Sequence, residues 1–400
     1  MPASIEKIRA DYQTVMERIR SVHIKPFPDL PEPLFLISNA YPGVWLEHAY
    51  DAIAWARLEP SMAQVARAQV KLFLDNQRPD GQFPCYVLDS SNPRTKAYGA
   101  LIGFGQIQEC VSFTRLCLEA AQLTDDASLL AYAYEKCVRW DEWLVRHRMT
   151  LGKGLIELFG LFDTGHDHSA RFEGIPGGCP GGAANCNEND CLPIIAPDMN
   201  AVFYGSRTAL SEMAHLLGKE EEAALWQERA EEVKRRLKEV CYCAEDDFYY
   251  DVDRHGNMRK FLSIHISNMF QEHMFSQEEA DRIYQRHMKN PNEFWTPYPF
   301  PSMAICDPAS KQDRHGNSWG FYTQGLTALR ALRWMDHYGY GEDLEHVMRQ
   351  WVDALASSDD IRFSQELHPI TGKPSTSSRW YSSIMLFYVA ACRRLGYVEA

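Results

Sequence analysis

Apolar residues recur along this chain at the spacing of α-helices, and the helices that they predict come in pairs. In the first helix of a pair, apolar residues cover most of the circumference, which indicates burial on nearly all sides. In the second, apolar residues recur at helical spacing against a charged face, which indicates packing on one side only. The pairs fall at 47–57 and 61–76, 101–123 and 126–148, 197–217 and 219–240, a weaker pair within 261–288, and 317–338 and 344–355, with further helices at 1–22 and 381–395.

The connections between these helices alternate in length. Short turns within pairs lie at 58–60, 124–125, 218 and 339–341, and long connections between pairs lie at 77–99, 149–197, 241–260, 289–316 and 358–379. Weak strand signals are confined to the long connections, for example at 248–252. Hairpins with all their long loops at one end predict an all-α toroid, in one domain over residues 1–400, with the functional site at the loop end. A helical-repeat solenoid is the alternative, but the sequence shows no fixed-period repeat.

The net charge and the hydropathy of the chain disfavour two classes of binding partner. The net charge is −13 and there is no basic run, so nucleic acids and anionic membranes are poor partners. Residues 1–22 interleave charged with apolar side chains, unlike a signal peptide, and no window approaches the roughly 20 apolar residues that span a bilayer. We therefore expect a cytoplasmic protein. Its oligomeric state is left open by the sequence, and a homo-oligomer is one of the alternatives.

The 11 cysteines are scattered along the chain, and without an export signal we expect reduced thiols. A cluster in the Gly/Pro/Asn-rich loop 174–191 is the exception. Zinc or a disulfide is an alternative there, but the cluster has no CxxC pair and no evident fourth ligand, so we expect no metal and no cofactor. The clustered residues are Cys179, Cys186 and Cys191.

The first candidate for chemistry is a run of ionisable residues in the loop 149–197. Two carboxylates, two imidazoles and a guanidinium fall within nine residues: Asp163, His166, Asp167, His168 and Arg171. Asp167 is the candidate proton donor, and such an acid needs a desolvated or carboxylate-rich pocket to raise its pKa. We expect Asp163 to supply the like charge. The alternative is a salt-bridge and turn cluster in which Asp163 caps and Gly165 takes a positive φ.

The second candidate is Glu366, in the long loop 358–379 that leads into the last buried helix. Glycoside hydrolysis requires two carboxyl groups on opposite sides of one bond. One donates a proton to the leaving oxygen while the other activates water. From spacing alone, an exposed glutamate before a Pro-Ile-Thr-Gly turn is the favoured interpretation.

Both segments resemble motifs of glycoside hydrolase family 63 and of its trehalase-family relatives. Residues 163–171 are similar to Glu/Asp-Ser/Thr-Gly-x-Asp-x-Ser-x-Arg. Residues 366–372 are similar to Glu-x-x-Asn-Pro-x-Thr-Gly, with His368 in place of Asn. Further matches keep the family's order at 41–45, 80–84, 198–200, 301–304, 307–308 and 317–320. The chain departs from the pattern at His166, where Trp or Met is usual, and in the insertion 174–191.

This resemblance implies an (α/α)6 barrel that hydrolyses α-glycosidic bonds with inversion. Asp167 would be the general acid and Glu366 the general base, with their carboxyl groups roughly 6.5–9.5 Å apart. Arg171 and Asn200 would help to hold the sugar. The implied substrate is a small carbohydrate, an α-glucoside or α-mannoside of the disaccharide or glycosylglycerate type.

Other side chains are candidates for substrate binding. Aromatic residues at loop–helix junctions suit the C–H faces of sugars, although such residues are more often core: Trp45, Trp319, Trp380 and Tyr381. Gln106 and Gln108 stand on a predicted buried helix, where amides need partners. Asp163 and His166 flank the acid. Loop cations could bind an acidic aglycone such as glycerate, although solvated charges are commoner: Arg94, Lys96, Arg314 and Arg379.

Two other functions fit the same toroid. A sugar epimerase would move protons at carbon with histidines, for which His166, His168 and His265 are candidates. A sugar-binding protein without catalysis would keep the fold and the aromatic residues but lack turnover.

Overall fold

The computed structural model describes residues 3–28, 30, 32–38, 41–177, 189–310, 317–358 and 363–399. In these ranges the chain is helix-rich, and its strands are two or three residues long. The α-helices are α1 Ile5–Arg18, α2 Ala49–Leu58, α3 Ala63–Asp75, α4 Phe113–Leu123, α5 Ala127–Arg148, α6 Pro197–Leu216, α7 Glu220–Cys241, α8 Ile266–Gln271, α9 Gln277–Ile283, α10 Gly325–His337, α11 Gly341–Ala356 and α12 Ser382–Arg394.

Every second helix packs against the next one in the same series. α2 contacts α4, α4 contacts α6, α6 contacts α8, α8 contacts α10, α10 contacts α12, and α12 returns to α2. The intervening helices α3, α5, α7 and α11 pack against these six from outside, and α1 packs against α12 and α11. Burial follows the same alternation: α6 and α12 are buried around most of their circumference, whereas α7 buries a single stripe that includes Trp226, Val233 and Leu237.

Short antiparallel strands organise the long connections. β3 Gly43–Trp45, β4 Tyr86–Leu88 and β5 Ile102–Gly103 form one sheet, and β12 Thr323–Gln324 pairs with β13 Glu366–Leu367. Gly103 is required where it packs, because a Cβ there would lie 2.2 Å from the ring of Tyr86. The other strands are β1 Ile24–Lys25, β2 Leu34–Phe35, β6 Glu157–Leu158, β7 Ile194–Ile195, β8 Tyr242–Cys243, β9 Phe248–Tyr249, β10 Asp251–Val252 and β11 Met258–Arg259.

Two predicted helices start later than the apolar pattern indicates. The helix predicted from residue 101 begins at Phe113, where Ser112 caps it by accepting from the Arg115 N–H. The helix predicted from residue 317 begins at Gly325. In both cases the preceding apolar residues lie in strand and loop, and hydropathy alone does not distinguish these states from a buried helix. The strand signal at 248–252 is confirmed by β9 and β10.

Of the three loop cysteines, Cys191 lies within the described residues. The Cys191 thiol donates to Asn189 Oδ1 at 2.7 Å, whereas Cys179, Cys186 and most of the insertion 174–191 lie outside the described residues. In the described ranges, no group of three His, Cys, Asp or Glu side chains is arranged to hold a metal ion. Over the same part of the chain, no helix is long and apolar enough to span a membrane.

Candidate active site

A cavity of about 400 Å³ opens among the long connections. Its wall comes from segments far apart in sequence, including Tyr41–His48, Gly105–Gln108 and Gly165–Asp167. Six of the residues predicted for the site border it: Trp45, Gln106, Gln108, Asp167, Trp319 and Tyr381.

Aromatic rings cover one side of this cavity. Trp45, at the end of β3, lies 5.1 Å from Tyr41, 5.5 Å from Tyr86 and 5.8 Å from Tyr98, measured between ring centroids. The hydroxyl of Tyr381 lies 2.7 Å from Nε2 of the buried His48. The rings are held by one another and by β3–β4 pairing, so the aromatic wall is formed before any ligand enters.

Asp167 is partly exposed to this cavity. Its Oδ2 accepts a hydrogen bond from the Asn317 side-chain amide at 2.5 Å, and its backbone carbonyl accepts from the Trp319 N–H at 3.0 Å. Burial and the nearby negative charge of Glu47 raise the pKa of Asp167 to about 7, against the smaller opposing effect of the Asn317 amide. A carboxyl group with this pKa keeps its proton over the acidic and near-neutral range, as a general acid requires.

The like charge expected from Asp163 comes from Glu47, which the sequence analysis missed. Glu47 borders the cavity, pairs with the buried Arg330 at 3.1 Å, and accepts from the Cys110 thiol. Burial opposes its ionisation, but His48 and Arg330 outweigh that effect and hold the pKa of Glu47 below its usual value. A carboxylate two positions after the cavity tryptophan, at the start of a buried helix, was the available signal.

Glu366 lies fully buried in β13, next to Gln365, which borders the cavity. Its Oε2 accepts from the Gln324 amide at 2.6 Å and from the Ser318 N–H at 3.0 Å. Its Oε1 is shielded from solvent and has no hydrogen-bond partner within the described chain. Burial raises the pKa of Glu366, against the smaller effects of hydrogen bonds from Gln324, the Ser318 N–H, the Ser375 side chain and the Asn317 N–H.

Besides Glu366, three predicted site residues do not border the cavity, because other groups hold them in the interior. Asp163 pairs with the buried Arg148 at 2.6 Å and accepts from three backbone N–H groups. Arg171 lies between Asp198 and Asp251, with hydrogen bonds of 2.6–3.1 Å to both carboxylates. Asn200 uses its amide on the backbone of residues 156 and 196. In the structure, these residues stabilise the fold beneath the site.

His166 and Trp380 also lie outside the cavity wall. His166 stacks on Trp319 with ring centroids 4.2 Å apart, and burial lowers its pKa to about 3, so the ring is neutral. Arg171 donates to its Nδ1 at 3.1 Å, which places the ring proton on Nε2. Trp380 stacks on Phe363, with the Arg18 guanidinium over its other side at 4.3 Å.

The loop cations and the remaining histidines lie elsewhere. Arg94, Lys96 and Arg379 are exposed and do not border the cavity, and Arg314 lies outside the described residues. His168 is exposed as well. His265 is buried with both ring nitrogens within hydrogen-bond distance of Ser263 Oγ and the Tyr249 carbonyl, and burial lowers its pKa to about 4. None of the three histidines named for epimerisation borders the cavity.

A helical fold whose loop end holds acidic and aromatic side chains around a sugar-sized cavity defines a glycoside hydrolase domain. Residues 41–382 match the family model described as mannosylglycerate hydrolase MGH1-like glycoside hydrolase domain. The chain belongs to this family, which confirms the resemblance to family 63.

Solved structures share the fold. A GH63 mannosylglycerate hydrolase from Thermus thermophilus, in complex with Tris and D-glycerate, is 16% identical, with 95% of this chain and 99% of that chain covered and a TM-score of 0.69. Neutral trehalase Nth1 from Saccharomyces cerevisiae is 13% identical, with 97% and 80% covered and a TM-score of 0.68. An uncharacterized protein of Borreliella burgdorferi is 24% identical over 126 residues, 32% of this chain and 26% of that protein. The chain thus matches about a quarter of that curated relative's length.

Proposed function

We propose that this protein is an inverting α-glycoside hydrolase. Asp167 donates a proton to the leaving oxygen, and Glu366 activates the water that attacks the anomeric carbon. The observation that carries the proposal is that one short segment, residues 317–319, contacts both carboxyl groups and borders the cavity.

The electrostatics of the two carboxyl groups suit different roles. Asp167 faces the cavity with a pKa of about 7 and can be protonated when substrate binds. Burial raises the pKa of Glu366, and its hydrogen bonds from Ser318 and Gln324 oppose that rise and favour the carboxylate that a general base requires. This division of labour between two carboxyl groups is what inversion at an anomeric carbon needs.

Unpartnered acceptors near Glu366 support a water site. Within the described chain, Oε1 of Glu366, Oε1 of Gln324 and Oε1 of Gln365 are buried and lack hydrogen-bond partners. The Gln324 amide donates a hydrogen bond to Glu366, and Gln365 precedes Glu366 in the sequence. Buried acceptors are costly unless satisfied, and a water molecule supplies the two donors that a pair of them needs.

The size and chemistry of the cavity favour a small substrate. A volume of about 400 Å³ suits a ligand of one or two sugar rings. The rings of Trp45, Tyr86 and Tyr98 offer apolar faces to sugar C–H groups, and Gln106 and Gln108 offer amides to hydroxyls. We propose an α-glucoside or α-mannoside of the disaccharide or glycosylglycerate type.

The proposal includes the architecture and the cellular setting. The cyclic order of contacts from α2 to α12 and back supports an (α/α)6 barrel as a single domain. The proposal also includes a cytoplasmic location.

Two isosteric variants test the assignment of roles. Asp167→Asn and Glu366→Gln are each expected to lower kcat on the best α-glycoside of a panel by about 10²–10⁴-fold, because each removes a proton-transfer group. Glu212→Gln, on the surface, is the control for loss of a carboxylate. Circular dichroism and thermal melting check folding. Near wild-type turnover by either variant would reject that residue's role, and deuterium incorporation into a free sugar in heavy water would support epimerisation instead.

A further inference from the structure

Three consecutive residues, Asn317, Ser318 and Trp319, touch both candidate carboxyl groups at once. We call them the bridging segment. The Asn317 amide donates to Asp167 Oδ2 at 2.5 Å, and the Trp319 N–H donates to the Asp167 carbonyl at 3.0 Å. Between them, the Ser318 N–H donates to Glu366 Oε2 at 3.0 Å. The distance from acid to base therefore depends on a backbone path of only three residues.

The bridging segment is itself held from several directions. Gln365 donates to Asn317 Oδ1 at 2.6 Å, and Gln324 donates to the Ser318 carbonyl at 3.3 Å. The Trp319 ring stacks on His166. Asn317 has a φ of +44°, a left-handed conformation that asparagine tolerates better than most residues other than glycine. The Asn317 side chain is thus fixed at both ends, with its oxygen towards Gln365 and its NH2 group towards the acid.

This orientation determines where Asp167 can carry its proton. An amide NH2 group only donates, so Asp167 Oδ2 must present a lone pair to it. Because the unprotonated oxygen of a carboxyl group accepts more strongly than the protonated one, the proton of the neutral acid favours Oδ1, which accepts no hydrogen bond from the described chain. We propose that Asn317 is a positioning residue, which fixes the carboxyl group of Asp167 so that its proton lies on Oδ1 at the separation from Glu366 set by the bridging segment. This inference rests on the proposed function.

Other groups around Asp167 determine which pH dependence is informative. The titratable groups that border the cavity with it are Tyr41, Glu47, His48, Cys85, Tyr86, Tyr98 and Tyr381. Arg330 lies behind Glu47, and Glu366 lies behind the bridging segment. Burial lowers the pKa of His48 and raises that of Cys85 to about 11, and it raises the pKa values of the tyrosines. Glu47, Glu366 and Arg330 are therefore the neighbouring charged groups to consider.

The test compares two substrates of one sugar. An α-glycoside with an alcohol leaving group needs proton donation, whereas an α-glycosyl fluoride releases fluoride with little help from the acid. Asn317→Gly removes the amide and accommodates the left-handed φ, and Asn317→Asp keeps the size but puts a second carboxyl group in place of the amide donor. We expect kcat on the glycoside to fall about 10- to 100-fold in either variant, with less than about a threefold fall on the fluoride. Asp167→Asn should likewise lose far more kcat on the glycoside than on the fluoride.

The pH profile gives a second readout that a structural role alone would not move. The Asn317 amide lowers the pKa of Asp167, so its loss should move the alkaline limb of kcat/KM to higher pH. Equal losses on both substrates with an unmoved limb would overturn the inference and leave the proposed function standing. A wild-type enzyme inactive on every α-glycoside would overturn both. If Asn317→Gly does not fold, the isosteric Asn317→Asp decides by the comparison of the two substrates alone, because its new carboxyl group would itself raise the pKa of Asp167.

Discussion

The charge of Glu47 gives a quantitative prediction about the acid. Removing that charge by Glu47→Gln should lower the pKa of Asp167, because a like charge near a carboxyl group opposes its ionisation. Burial is the larger of the two effects that raise this pKa, and the substitution leaves the burial of Asp167 in place. We therefore expect the pKa to fall from about 7 to about 6, a change of about 1.4 kcal/mol in the ionisation free energy.

The activity that follows can be worked out from the protonated fraction of Asp167. At pH 7.5 that fraction falls from about one quarter to about one thirtieth, so Glu47→Gln should lose roughly sevenfold more activity at pH 7.5 than at pH 5. Because the general acid works only when it is protonated, a lower pKa of Asp167 removes activity first at alkaline pH.

The assay is the pH profile of kcat/KM from pH 4 to 9. The alkaline midpoint of this profile is the informative quantity, because loss of a cavity side chain can lower kcat/KM at every pH. Glu212→Gln, which removes an exposed carboxylate paired with Arg115, should leave the midpoint unchanged. An alkaline midpoint in Glu47→Gln equal to that of the wild type, or higher, would refute the electrostatic coupling between Glu47 and Asp167.

Two predictions concern stability beneath the site. Arg171→Lys loses the forked contacts to Asp198 and Asp251 and should destabilise the fold by about 3 kcal/mol in urea unfolding; a change below about 0.5 kcal/mol would contradict this. Burial raises the pKa of Glu109 to about 8, so its stabilising contribution is complete below pH 4.5 and is lost as pH rises towards 8. Glu109→Gln should gain up to about 5 kcal/mol over wild type across that range, and a pH-independent difference would contradict the reasoning.

Much of the helical architecture was predictable because packing imposes a period on the sequence. The short turn predicted at 124–125 leads into α5, which Asp126 caps, and the stripe of α7 lies at the expected positions. The starts of α4 and α10 were not predictable, because the residues before Phe113 and Gly325 form strands and loops with the same apolar composition as a helix. The spacing of apolar residues distinguishes a helix from a strand only where one face of the element is polar.

The site was predictable in its residue types and less so in their partners. Residues 163–171 carry charge for two different reasons, and the sequence does not separate them. Asp167 faces the cavity, whereas Asp163 and Arg171 are paired with Arg148, Asp198 and Asp251, which arrive from distant segments. An ion pair between residues that are distant in the sequence produces no pattern within a short stretch of sequence.

The same limit explains why Glu47 was missed. Its proximity to the acid is created by the fold, which brings the start of α2 against Gly165; a Cβ at Gly165 would lie 3.2 Å from Glu47 Oε2.

The stereochemistry of the first product tests the central claim most directly. Proton NMR of an α-glycoside digest, recorded within minutes of mixing, distinguishes the newly released anomer before mutarotation. A general base at Glu366 that delivers water to the face opposite the leaving group predicts that the β-anomer of the sugar appears first. Initial release of the α-anomer would contradict the account, since it would require a covalent intermediate and a nucleophile in place of a base.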